Sequence, residues 1–294
     1  MSRLFLLGVL SGLALAVAIT ASVLAGLGAG EAAERVLASK PRASELTAIA
    51  RDAGTRQARA GDAPARASRA APDRRPSPRS CRRIVIDPGH DARPNLGTEP
   101  VGPGARARKT KDGGGPVGVA TGREAHAVNL AVSLGLRERL VERGYCVTMT
   151  RAAASSRPSR GNVARAGIAN KARATLFLRI HVDASPSQAR RGSAVLYPAY
   201  DRRWTADILP QSKRAARVIQ SELGPALGGP DLGSFPRADI TGFNWADVPS
   251  VLAVVGFLTN PQDDQLLSES TYRRRAVEAL TRGVDRFTGG AHKR

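Results

Sequence analysis

Residues 83–90 read RIVIDPGH. Three β-branched residues in succession, Ile84, Val85 and Ile86, describe a strand buried on both faces. Asp87-Pro88-Gly89 ends it, because proline brings no N–H to a ladder and glycine admits backbone angles closed to other residues. The residue delivered at that end is His90. Downstream, strand and helix signals alternate. Ala127, Leu130, Ala131, Leu134 and Val141 mark one face of a helix that ends at Gly144, and CVTMTR (146–151) reads as the next strand. A helix over 160–172 precedes a strand at ATLFLRIHV (174–182), and GSAVLYPAY (192–200) is a further strand. A helical stretch follows over 205–223, with a break at Pro210. VPSVLAVVGFL (248–258) is an apolar strand, and Tyr272, Ala276, Val277, Leu280, Val284 and Phe287 form the face of a closing helix. Such alternation implies a single α/β domain with a mostly parallel central sheet flanked by helices, whose chemistry collects beyond the carboxyl ends of the strands.

The part before this domain has a different composition. Ser2 to Gly30 holds one charge, Arg3, and an apolar run from Leu4 to about Leu27. A short basic start, a long apolar core and small residues near its end describe an export signal at 1–30. The run is also long enough to span a bilayer as an uncleaved anchor. Residues 31–82 are rich in Ala, Arg, Ser and Pro, as in GDAPARASRAAPDRRPSPRS (61–80), and bury too little to offset chain entropy. They read as a basic disordered linker, leaving 83–290 as the folded domain. Of the formal charge of +20, the stretch from Glu31 to Arg83 holds thirteen Arg and Lys against six Asp and Glu. Outside a cell, such a tether matches anionic envelope polymers or acidic lipids. Nucleic acid is set aside as a partner: the chain carries an export signal, only four scattered tyrosines and no basic-aromatic motif.

Cys81 precedes the first predicted strand and Cys146 opens the second. If those strands are parallel neighbours, both sulfurs lie at one end of the sheet, and an oxidising compartment then favours a disulfide over two free thiols.

Of the four histidines, His90 and His181 follow strands, His126 lies on the first helix and His292 in the tail. Glu124 sits near the start of the first helix, at the same predicted edge. Two imidazoles and a carboxylate form a catalytic zinc set with a fourth position left open.

These residues carry a resemblance. IVIDPGH (84–90), the segment 122–151, RAGIANKARATLFLRIHVDAS (165–185) and the segment 248–280 occur in the order seen in zinc-dependent N-acetylmuramoyl-L-alanine amidases of the amidase-3 type, which hydrolyse peptidoglycan. The resemblance spans about residues 83–290 and implies a single α/β domain with about six strands. It also implies Zn2+ held by His90, Glu124 and His181, and cleavage of the amide between N-acetylmuramic acid and L-alanine. The sequence departs from the family in two places. Glu124 stands six residues before Leu130 where the pattern has five; an extra residue at the helix start would absorb this, and His126 is the alternative ligand. The family's glutamate two residues before Gly-Phe is here Val254. Asp183, two residues after His181, is the nearest substitute for that proton relay. Two activities therefore stay open: an exported amidase without its usual relay, or an impaired relative that binds peptidoglycan or regulates. The glycine-rich segment 95–119 is expected to rim the groove or to form a surface excursion.

Overall fold

The computed structural model describes residues 81–155 and 157–290. The predicted leader, nearly all of the linker and His292 lie outside them. Strand β1 (Arg83–Pro88) is followed by a hairpin of β2 (Asn95–Pro100) and β3 (Arg108–Asp112), then by helix α1 (Ala125–Glu142) and β4 (Cys146–Met149). Next come α2 (Asn162–Lys171), β5 (Leu176–Asp183), β6 (Ser193–Pro198), α3 (Leu209–Leu227) and β7 (Asp231–Arg237). Short α4 (Thr241–Asn244) leads into β8 (Ser250–Phe257), and α5 (Pro261–Ser268) and α6 (Ser270–Thr288) close the domain. The main sheet has six strands in the order β4-β1-β5-β8-β6-β7. Every pairing is parallel except β6 with β8.

Side-chain alternation divides the sheet cleanly. Ile84, Ile86, Leu176, Leu178, Ile180, Val251, Ala253 and Val255 join the core formed with α1, α3 and α6. On the opposite face, Val85 and Phe177 pack on Ala166 and Ala169 of α2, while Ala194, Leu196, Leu252 and Val254 pack with Phe243 and Phe257. Each fully buried aliphatic side chain contributes about 1.5–3 kcal/mol, which is why the strands read as unbroken apolar runs. Asp87 and Arg179 share the second face and are register partners between β1 and β5; His181 follows on that face opposite Val254 of β8. The row of positions leading to the strand ends is thus polar on β1 and β5 and apolar on β8.

Two expectations are corrected. The buried face of α1 is Val128, Val132, Leu136 and Leu140, joined by Ala125, Asn129 and Ser133, whereas Ala127, Ala131 and Val141 are exposed. The helix is apolar on both sides through its first three turns, so its periodicity admits two overlapping faces, and contact with the sheet selects one. Pro210 does not break a helix. It occupies the first turn of α3, where its missing N–H removes no intrahelical bond, and the helix runs on to Leu227.

Cys81 and Cys146 form a disulfide with their Cα atoms 5.7 Å apart. Cys146 lies opposite Arg83 in the β1–β4 ladder, so the bond joins the entries of two parallel neighbours. Among the described residues no helix is long and apolar enough to cross a membrane.

Candidate metal centre

The turn after β1 is held from below. Asp87 is fully buried and accepts hydrogen bonds from Thr150 Oγ1 (2.6 Å), Arg165 Nη1 (2.6 Å) and Arg179 Nε (2.8 Å). Burial alone would raise its carboxyl; Arg165, Arg179 and the Thr150 hydroxyl outweigh that and hold it well below the usual carboxylate range. Arg165 also donates to the Pro88 and His90 carbonyls, and Arg151 donates to the carbonyls of Pro88, Gly89, His90 and His126. Two guanidinium groups therefore fix the backbone of residues 88–90. They hold His90 at φ 57°, a left-handed conformation that a non-glycine residue keeps only when its surroundings over-determine it.

His90 and His181 come together as expected from the two strand ends. Their ring centroids are 5.1 Å apart and edge-on. Gly89 makes the approach possible, since a Cβ there would meet the His181 ring at 2.4–2.7 Å. Asn129 ties the two strand ends together, donating to the Gly89 carbonyl (3.1 Å) and accepting from the Val182 N–H (2.8 Å). Burial, reinforced by His90 and Arg179, pushes the His181 imidazole well below its ordinary value, so the ring is neutral at pH 7. Its Nε2 is buried without a hydrogen-bond partner. The two histidines line a cavity of about 160 Å3 with Thr110, Asp112, Asn162 and Arg179.

Glu124 is not in that cavity. It is the N-cap residue of α1, its side chain is 62% exposed, and its Oε2 lies 2.5 Å from His126 Nε2. The position five residues before Leu130 is Ala125, which is fully buried. A Cβ built on Gly115 would touch both Ala125 Cβ and the His90 ring, so these two residues flank the same spot. Glu124 is the extended residue before the helix and Ala125 the first helical one, so the two side chains leave in different directions, Glu124 outward and Ala125 inward. Val254 is 2% exposed and packed among Ala194, Leu196, Leu252, Phe243 and Phe257. Asp183 does not line the cavity, and its Oδ1 accepts the Ala184 N–H.

The carboxylate that does meet a site imidazole is Asp112, at the end of β3. Its Oδ1 lies 2.7 Å from His90 Nδ1 and also accepts the Gly114 N–H. Burial would raise this carboxyl, but the hydrogen bonds with His90 and the Gly114 N–H and the nearby Ser159 hydroxyl bring it well below the usual range. The sequence signal for Asp112 was its place directly before three glycines; that for Asn129 was a polar residue inside an apolar helix face.

A zinc ion suits part of this donor set. The neutral His181 with an orphaned Nε2, beside His90, offers two imidazoles. The third donor is not at hand, and among the described residues no three His, Cys, Asp or Glu side chains are drawn together as a ready metal cage.

A family model described as N-acetylmuramoyl-L-alanine amidase, of the amidase-3 group, matches residues 84–286. The chain belongs to this amidase family. Among curated relatives of the amidase domain, an N-acetylmuramoyl-L-alanine amidase of Mycobacterium tuberculosis is 28% identical over 221 residues, 69% of this chain and 85% of that protein. The germination-specific N-acetylmuramoyl-L-alanine amidase of Bacillus subtilis is 26% identical, over 71% of this chain and 81% of its own length. The crystal structure of the amidase Ami1 from Mycobacterium smegmatis superimposes with a TM-score of 0.64 at 28% identity, covering 71% of this chain and 97% of that one. The six-stranded, mostly parallel sheet between helices is the amidase fold.

Proposed function

We propose that this amidase-family chain is exported and hydrolyses the amide between N-acetylmuramic acid and L-alanine of peptidoglycan, with zinc as cofactor, and that it turns over slowly. Support comes from the family membership and from the amidases among its relatives. The observation that carries the zinc reading is the buried, unpartnered Nε2 of His181 beside His90. When bound, zinc supplies Lewis-acid polarisation of the scissile carbonyl. His90 and His181 would hold it; Glu124, the third ligand that the resemblance implies, would have to leave His126 and turn inward at the start of α1 to join them. Slow turnover follows from Val254: an isopropyl group can neither accept nor donate a proton, and loss of general acid–base help costs about 10²–10⁴-fold in rate. Asp183, the nearest carboxylate along the chain, is the proposed substitute relay. The leader at 1–30 supports export, with either removal or retention as an anchor, and the basic linker supports contact with anionic envelope polymers or lipids.

A second reading, peptidoglycan binding or regulation without turnover, is favoured by a specific observation. The places of two expected carboxylates, 125 and 254, are both apolar and both buried. The test is release of stem peptides with new N-terminal alanine when the zinc-supplemented full chain is incubated with purified peptidoglycan. Slow release is expected, with loss of both release and bound zinc in His90→Ala and His181→Ala. No release from a folded, zinc-loaded chain overturns the enzyme reading in favour of the second.

A further inference from the structure

We propose that Asp112 is a positioning residue of this site, whose carboxylate fixes His90 as the Nδ1–H tautomer and so leaves the Nε2 lone pair as its donor. The 2.7 Å contact joins Asp112 Oδ1 to Nδ1 of the ring, and an ionised carboxylate only accepts, so the ring nitrogen must donate. With the proton held at Nδ1, a neutral imidazole has its lone pair at Nε2. Which nitrogen of a histidine is free is set in this way by the hydrogen bond that the other makes.

Asp112 is placed for this by the whole hairpin. Its side chain is 4% exposed and lines the cavity shared by His90 and His181, where it is the one carboxylate. Gly114 and Gly115 follow at φ 95° and 74°, turning the chain away at once; a Cβ on Gly115 would strike His90. The hairpin is anchored to the domain body. Asn244 Nδ2 donates to the Val101 carbonyl, Trp245 Nε1 to Pro100, Trp204 Nε1 to Pro103 and Asn162 Nδ2 to Lys111. In return, Glu99 accepts the N–H groups of Asn162 and Val163 at the start of α2. So many polar ties make Asp112 a fixed partner of His90 rather than a passing neighbour. With alanine at 125 and valine at 254, it is also the acidic group that remains against the histidine pair.

The consequence for metal affinity rests on the zinc reading; the tautomer does not. The experiment is long-range proton–nitrogen NMR on the full chain with nitrogen-labelled histidine, near pH 7.5 and free of metal, with His90 assigned by His90→Gln. The expected wild-type pattern is neutral His90 protonated at Nδ1. In Asp112→Asn, the amide can donate to Nδ1 and the proton should move to Nε2; Asp112→Glu should restore the wild-type pattern at least in part. Zinc titration of the same proteins should show Asp112→Asn weaker by about 10–100-fold. A neutral wild-type His90 protonated at Nε2 overturns the proposal without any variant, and so does an unchanged tautomer in folded Asp112→Leu, which leaves Nδ1 no acceptor. If the tautomer moves as expected but no form binds zinc, the positioning role stands and the zinc reading fails.

Discussion

Val254 is the residue on which rate and stability meet. In the family pattern its place holds a glutamate; here it lies opposite His181 in the β5–β8 ladder and inside a closed apolar cluster. Phe243 and Phe257 are buried in the same cluster. A glutamate introduced there exchanges apolar contact for an unsolvated polar group, at about 1–3 kcal/mol by mutational precedent. Val254→Glu is therefore expected to lower the unfolding free energy measured in urea at pH 7 by that amount, and the midpoint with it, with the new carboxyl held neutral by burial. An unchanged midpoint would mean that the cluster opens readily and that the site tolerates a base. The same logic explains Glu124. One residue of helix register separates an exposed pair with His126 from a buried position against His90, and the chain places alanine in the inward position.

At the scale of elements, two links hold strand ends in place. Asn129 projects from α1 to span the carboxyl ends of β1 and β5, satisfying the Gly89 carbonyl and the Val182 N–H at once. Asn129→Leu fills the volume but leaves both buried backbone groups without a partner, at about 1–3 kcal/mol each. Chemical unfolding should show that loss, and hydrogen exchange at the Val182 amide should accelerate more than elsewhere in β5. At the opposite edge of the sheet, the Cys81–Cys146 bond closes a loop of 65 residues. In the chain-entropy model such closure contributes about 4 kcal/mol. Replacing both cysteines with serine should lower stability by roughly that amount in chemical unfolding, and mass analysis of the non-reduced wild type should show no alkylated thiol.

Over the whole domain, the dominant electrostatic element is the buried Asp87 with Arg165 and Arg179. It links β1, α2 and β5, and the Thr150 bond extends it to the end of β4. Because the folded-state value of Asp87 is depressed, its contribution to stability is present above the unfolded value of about 4. It is lost as pH falls below that value towards the folded one. The wild type should hold its thermal midpoint from pH 7 down to about pH 5 and lose it steeply below pH 4. Asp87→Ala leaves two buried guanidinium groups without their shared partner and should cost about 3–5 kcal/mol at pH 7. A variant with wild-type stability would show that solvent reaches the arginines. Since the same arginines hold the carbonyls of residues 88–90, any fold-competent variant here should also loosen His90.

The alternation of the main strands and helices, the mostly parallel sheet, the cysteine pair and the two strand-end histidines were legible in the sequence itself, whereas the β2–β3 hairpin, β7, α4 and α5 were not. Strings such as IVID and LFLRI are stable only between two covered faces, and a strand that stops at Pro-Gly must deliver its next side chain to the sheet edge. These are local consequences of side-chain shape and backbone freedom. The tertiary structure alone decided which face of α1 is buried, because that helix is apolar on two sides and only contact with β1 and β5 distinguishes them. It turned Glu124 outward for the same reason: a helix start is fixed in rotation by what its next turn packs against. It brought Asp112 to His90 across 22 residues by folding a glycine-rich segment into an anchored hairpin, a contact that no spacing in the chain encodes. Backbone periodicity places a residue on an element, whereas the partner a polar side chain meets depends on how separate elements pack, and that packing is settled by the core as a whole.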